Sequence, residues 1–133
     1  MTTGRTVEAA AKMLEVYLKD TPTTLQLVLC NASTWSSPPT QAEIIASIIA
    51  ATNGYTFQNV LPTGNASTSG TRAEISYEDA TVSLSSGTLD YTGYAIIRDS
   101  TEAVEYESFT STRTLDSSAG AHTFTGMKAV QTV

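Results

Sequence analysis

From Gly54 to the C-terminus the chain reads as short alternating segments separated by turn signals, and this pattern limits the fold more than any other feature. In "TRAEISYE", Ala73, Ile75 and Tyr77 share one side; in "TVSLS", Val82 and Leu84 do. The run "TLDYTGYAIIRD" puts Leu89, Tyr91, Gly93, Ala95 and Ile97 on one face and Tyr94, Ile96 and Arg98 on the other. A period of two is the signature of a strand with distinct faces. Gly93 inside such a run predicts a bulge or a close backbone approach. "YTFQNVL", "AVEYESF", "TRTL" and "HTFTGMKAV" read as further strands, with "PTGNASTSG" as a flexible loop and turns at Ser86-Gly87, Asp99–Glu102 and "DSSAG". Short strands at this spacing predict a compact antiparallel β-sandwich.

The first third of the chain is different. In "TVEAAAKMLEVYLKD" the apolar residues Val7, Ala10, Ala11, Leu14, Tyr17 and Leu18 recur at three and four, which predicts a helix. Thr6 suits its N-cap, Glu8 its first turn and Lys19 its last, with a stop at Asp20-Thr21-Pro22. At about four turns such a helix does not persist alone in water and must dock on its own domain or on a neighbour. "TTLQLVLCNA" (Thr23–Ala32) reads as a strand covered on both faces. Thr40-x-x-Glu43 has the form of a capping box before Ile44, Ile45, Ile48 and Ile49, predicting a short second helix from Gln41 to Thr52, ended by Asn53-Gly54. β-branched Ile lowers helix propensity, so a strand here stays open as an alternative. The reading is a mainly β chain: residues 1–20 form an N-terminal helical arm and residues 21–133 one β-sandwich domain.

Composition narrows function by exclusion. Ser and Thr supply 38 of 133 residues, and charged residues only 15%; hydroxyls replace ion pairs as the source of a wet surface. Seven scattered Lys and Arg against thirteen acids give a net charge of −6, which argues against nucleic acid, whose binding needs a concentrated basic face. One Cys, Cys30, excludes an internal disulfide, and one Cys with one His, His122, excludes an ordinary zinc site. No apolar run reaches membrane-spanning length. The first residues lack a signal-peptide profile, so synthesis in a cytoplasm is expected.

Chemistry-bearing constellations are sparse. A Cys30–His122 nucleophile and base would need a third group to orient the base, and a buried inert thiol is the simpler role for Cys30. Glu78-Asp79, Asp99 and Glu102 sit at turns, and Glu105 and Glu107 have the i, i+2 spacing of a solvent-facing strand surface; no calcium-loop spacing occurs. No phosphate-cradling Gly-rich loop is present. Asn31 and Asn65 begin matches to the glycosylation pattern that a chain so rich in Ser and Thr produces by chance. Aromatic residues remain. Phe57, Tyr77, Tyr91 and Tyr106 are expected in the core, and Tyr94, opposite Tyr91, as an exposed contact able to stack a ligand.

The succession "TLQLVLCNAS", a Pro/Thr loop, a short apolar segment, "NGYTFQNV", "AEISYE" and "GTLDYTGYAIIRDS" resembles small structural proteins of tailed bacteriophages. The resemblance spans Leu25 to Leu115 and rests on that order together with Asn31, Gly54, Tyr55, Gly93 and Asp99. The N-terminal helix and the Ile-rich segment depart from it. It implies a non-enzymatic virion component without catalytic residues, cofactor or metal, most simply a capsid decoration protein. Its partners would be other virion proteins, such as the major capsid protein or tail proteins, and further copies of itself. A tail, baseplate or fibre position is the alternative location, and a carbohydrate-binding module the alternative of another class. The residues expected at an interface are Val7, Leu14, Tyr17 and Leu18 on the helix, and Tyr94 on the sheet.

Overall fold

The computed structural model describes residues 4–20 and 24–133. In chain order the elements are α1 (Val7–Glu15), running on into a π-helical turn (Val16–Asp20), β1 (Leu25–Cys30), α2 (Gln41–Ala46), β2 (Gln58–Asn59), β3 (Ser67–Ser69), β4 (Arg72–Ser76), β5 (Ala80–Val82), β6 (Thr88–Arg98), β7 (Glu102–Asp116), β8 (His122–Phe124) and β9 (Lys128–Thr132). The fold is mainly β with two helices, as the alternation requires. Its pairings are antiparallel and build a four-stranded sheet β2-β1-β6-β7, a three-stranded sheet β3-β4-β9 and the pair β5-β8.

The larger sheet turns Leu25, Leu27, Leu29, Tyr91 and Ile96 toward Ala73, Ile75 and Ala129 of the three-stranded sheet and Val82 and Phe124 of the pair, and these share one core. Its other face carries Val28, Cys30, Ala95 and Ile97, covered by Ile44 of α2 with Trp35 and Ile48 alongside. From Leu27 to Cys30 strand β1 is thus buried on both faces, which explains the consecutive apolar residues there. Helix α1 packs on β4 and β9 and sends Ala10, Ala11 and Leu14 into the same core as the strands, with Leu18 following from the π-turn. Residues 4–20 therefore contribute to the interior of the sandwich. The helix stop assigned to Thr21-Pro22 and the strand start at Thr23 lie outside the described residues.

Several elements differ from their expected extents. α2 ends at Ala46, six residues before Thr52. "YTFQNVL" contributes only Gln58–Asn59 as strand, because Tyr55 turns inward and its hydroxyl receives the buried Leu29 N–H at 2.9 Å. The loop "PTGNASTSG" contains β3, which forms a hairpin with β4 across Gly70 (φ +60°). The strands read in "AVEYESF" and "TRTL" are one continuous strand, β7, of 15 residues. "HTFTGMKAV" divides into β8 and β9 around Gly126 (φ +68°).

The largest consequence follows from a bulge. Tyr91 pairs with Arg113 and Gly93 with Ser108, so Thr92 of β6 stands against Phe109 to Thr112 of β7. Such an irregularity reverses the alternation beyond it. Tyr91 consequently shares a face with Tyr94 and Ile96, while Ala95 and Ile97 point to α2, correcting the grouping of Tyr91 with Ile97.

Candidate functional site

Two surfaces bring together the side chains that sequence reasoning singled out. The first lies on α1. Thr6 caps the helix, its Oγ1 accepting the Ala9 N–H at 3.1 Å, and Glu8 sits in the first turn, where the helix dipole favours a negative charge. Leu14 and Leu18 face inward and Val7 is half-buried, so of the helical residues expected at an interface only Tyr17 stands outside. Met13 and Val16 join it, 48% and 45% exposed against 40% for Tyr17. The π-turn helps arrange this: it delivers Leu18 to the core while leaving Val16 and Tyr17 at the surface, and such turns are rare and concentrate at functional places.

The patch is firmly mounted. The Arg98 guanidinium lies 4.5 Å from the centre of the Tyr17 ring, and Arg98 Nε donates to the Tyr17 carbonyl at 3.2 Å. Arg98 also sits 3.5 Å from the carboxylates of Asp99 and Glu102, and the Tyr17 hydroxyl donates to Glu102. Burial, reinforced by the Glu102 carboxylate, raises the Tyr17 pKa and keeps it a phenol donor. The β6–β7 turn beneath this node is anchored to the start of β1: Thr24 N–H donates to Asp99 Oδ1 and Asp99 N–H to the Thr24 carbonyl, both at 2.8 Å. Ala9, Lys12, Met13, Val16, Tyr17 and Arg98 enclose an open apolar groove of about 560 Å³.

The second surface surrounds Tyr94. The bulge places Tyr94 and Tyr91 in one aromatic group with Phe109 and Phe124; Tyr94 is 5.0 Å from Phe124 and 6.1 Å from Phe109 between ring centres. Arg113 stacks 3.6 Å over Phe109. Glu107 and Arg113 flank a cleft of about 200 Å³ here. Tyr94 is half-buried, its phenol raised by burial and by Glu107. Tyr106, expected in the core, is 44% exposed: it pairs with Ala95 and meets Trp35 edge-on at 5.7 Å on the α2 side. Phe109 is one of the aromatics on predicted strands, but Arg113 and Phe124 carried no signal of their own in the sequence, since the proximity of the three depends on the bulge.

The other candidates are dispersed. Cys30 lies under α2, its thiol pushed up to about 11 by burial, which suppresses the thiolate. His122 belongs to the opposite side of the large sheet, where Nδ1 meets the Tyr91 hydroxyl at 2.6 Å. The two are therefore not brought together. Glu78 Oε1 accepts the Leu61 N–H at 2.9 Å, a structural role. Glu105, expected on a solvent face, pairs with the buried Ile96 and turns toward the interior. Among the described residues no three of His, Cys, Asp and Glu are grouped to hold a metal ion, and no helix is long and apolar enough to cross a membrane. No family model matches the chain, and neither does any curated protein or solved structure.

Proposed function

We propose that this chain is a non-enzymatic structural protein of a bacteriophage particle, a capsid decoration protein that clamps shell subunits and is present in many copies. It would be made in the host cytoplasm and reside in the virion. The observation that supports this reading is the Met13–Val16–Tyr17 patch on its rigid mount. Tyr17 is held by the cation–π contact with Arg98 and flanked on the same helix by Met13 and Val16, and since each is 40–48% exposed, covering each stabilises a contact by about 1 kcal/mol. A patch of this size suits one of several modest contacts repeated over a symmetric shell. The hydroxyl-rich surface and the sequence resemblance point the same way.

The test is the copy number of the chain in purified particles, by quantitative mass spectrometry against the major capsid protein. Comparable numbers are expected. A few copies per particle would move the protein to the neck, tail, baseplate or fibres, and absence would end the virion reading. A second reading, a carbohydrate-binding module, draws on the cleft where Tyr94, Phe109 and Phe124 meet Glu107 and Arg113. Aromatic faces beside charged donors and acceptors are what a sugar ring requires. Quenching of intrinsic fluorescence by polysaccharides, lost in Tyr94→Ala, would favour it.

A further inference from the structure

We propose that the part of β6 beyond the end of β1 is a strand-addition site, and that its occupant is an extended segment of a partner protein that sets a lysine or arginine opposite Asp90. The site lies toward the opposite end of β6 from Arg98, which mounts the α1 patch. β1 pairs with β6 from Leu25↔Arg98 to Cys30↔Gly93 and stops there, because Asn31 leads the chain into the short 3-10 turn Ala32–Thr34. β6 continues to Thr88 with β7 alone as its strand partner. The stretch from Thr88 to Tyr91 is about 13 Å long at 3.3 Å per residue. Hydrogen-bond alternation fixes which way its main chain points. Ser117 N–H donates to the Gly87 carbonyl at 3.0 Å, which makes Gly87 and Ser117 a bonded pair of the β6–β7 ladder. Bonded and non-bonded pairs alternate, so Leu89 and Tyr91 bond β7, while Thr88 and Asp90 turn both N–H and C=O away from it. Among the described residues no backbone hydrogen bond reaches either one from that side. Two open peptide units, two residues apart, are the template that a further strand requires.

The surroundings define the occupant. A cleft of about 510 Å³ lies beside this edge, and its lining includes Asn31, Ser33, Ile49, Leu89, Asp90 and Thr112. Asn31 closes one end. Its Oδ1 receives the Ser33 N–H at 3.3 Å, the Ser33 hydroxyl at 2.8 Å and the Thr92 hydroxyl at 3.4 Å. These bonds orient the carboxamide and leave its Nδ2 hydrogens for an incoming carbonyl. Along β6, Leu89 and Tyr91 face the main core and Asp90 the other side, where the Thr114 hydroxyl donates to Asp90 Oδ1 at 2.6 Å. A strand added here repeats that alternation. Its residue paired with Asp90 shares the Asp90 face, and the two flanking residues point toward Ile49 and Leu89, both half-buried against the core. Asp90 is exposed and is the one charged side chain in the cleft lining, and no ion pair among the described residues includes it. Opposite charges across a strand pair attract and like charges repel. The cleft therefore selects an apolar–basic–apolar segment, and the net charge of −6 acts against an acidic one.

The test is an amide NMR titration of the full chain with the blocked peptide acetyl-Thr-Val-Lys-Val-Thr-amide. Saturable shifts at Thr88 and Asp90 with a Kd at or below about 1 mM are expected. Replacing the lysine by glutamate should weaken binding at least about threefold, and Asp90→Asn should remove that difference. Methylating the backbone nitrogen of the lysine should weaken binding at least about tenfold, because that N–H bonds the Asp90 carbonyl. Methylating the nitrogen of the following valine, whose N–H points away from β6, should leave binding within about twofold. Absence of a saturable shift at about 10 mM peptide would overturn the proposal, as would equal binding of the two methylated peptides. An Asp90 amide whose protection in the peptide-free chain grows with protein concentration would assign the edge to a second copy and overturn it too. The titration uses the chain alone, so its outcome is separate from the copy number in particles.

Discussion

At Gly93 the absence of a side chain carries the consequence. A Cβ there would stand 2.7 Å from the Glu107 carbonyl oxygen and 3.0 Å from the Ala32 Cβ, with Trp35 next at 3.4 Å. The nearest of these is backbone of the adjacent strand, which cannot rotate away, so Gly93→Ala should destabilise the fold by about 1–3 kcal/mol through overpacking. Chemical unfolding measures the loss, and Trp35 fluorescence should shift with it; unchanged stability would mean that β7 is not held against Gly93 as described. This residue also marks how far the sequence could be read. A lone Gly in an alternating run announced a bulge or a close approach, and both are present. What it could not announce was the size of the bulge, because it lies in the partner strand, where Phe109 to Thr112 stand against Thr92 alone. Everything beyond the bulge changes side: Tyr94 joins Tyr91, Tyr106 moves out, and Glu105 turns in. That one irregularity accounts for the changed faces around Tyr94, whereas Leu14 and Leu18 turn inward for a different reason, the packing of α1 on β4 and β9.

Among the elements, those governed by local chemistry were legible in detail, while those governed by pairing were legible as strands but not in their extents. Thr6 caps α1, and Thr40 and Glu43 close a reciprocal capping box on α2, as their spacing implies. Backbone hydrogen bonds to Glu43 hold its carboxyl down to about 2. The Ile-rich continuation of α2 goes extended instead, because β2 pairs only with Gln26 and Leu27 and leaves the rest of that β1 edge open. Ile49 N–H bonds the Leu29 carbonyl at 2.9 Å, Asn31 N–H bonds the Ser47 carbonyl at 3.0 Å, and β-branched residues accept that role readily. The β6–β7 turn offers a test at this scale. Asp99 and Ser100 have φ of 50° and 64°, and Thr101 N–H closes on the Arg98 carbonyl at 3.2 Å. A left-handed residue with a side chain costs about 1–2 kcal/mol, part of which Gly returns as extra freedom in the unfolded chain. Ser100→Gly should therefore raise stability by about 0.5–1 kcal/mol, or roughly 2–4 °C in Tm. A lower Tm would show that Ser100 makes a contact worth more than its strain.

Over the whole molecule, one helix serves two environments at once, and this decides how the proposed shell contact must be tested. Removing residues 1–20 would strip Ala10, Ala11, Leu14 and Leu18 from the common core, so loss of particle binding after truncation would report unfolding as readily as a lost contact. Substitution by face separates the two. Leu14→Ala opens a cavity between α1 and the β4–β9 sheet and should cost about 2–4 kcal/mol, within the usual range for a buried leucine. Met13→Lys with Val16→Lys alters only the outward side, where each side chain is nearly half exposed, and should change stability by no more than about 0.5 kcal/mol per site. The double variant should nevertheless fail to co-sediment with shells lacking the protein, because two ammonium groups cannot be left desolvated in an apolar contact. Leu14→Ala, still folded at low temperature, should bind shells as the wild type does. Co-sedimentation of the folded double variant at wild-type levels would exclude the α1 patch as the docking surface, and Tyr94→Ala would then be the variant to examine on the same shells.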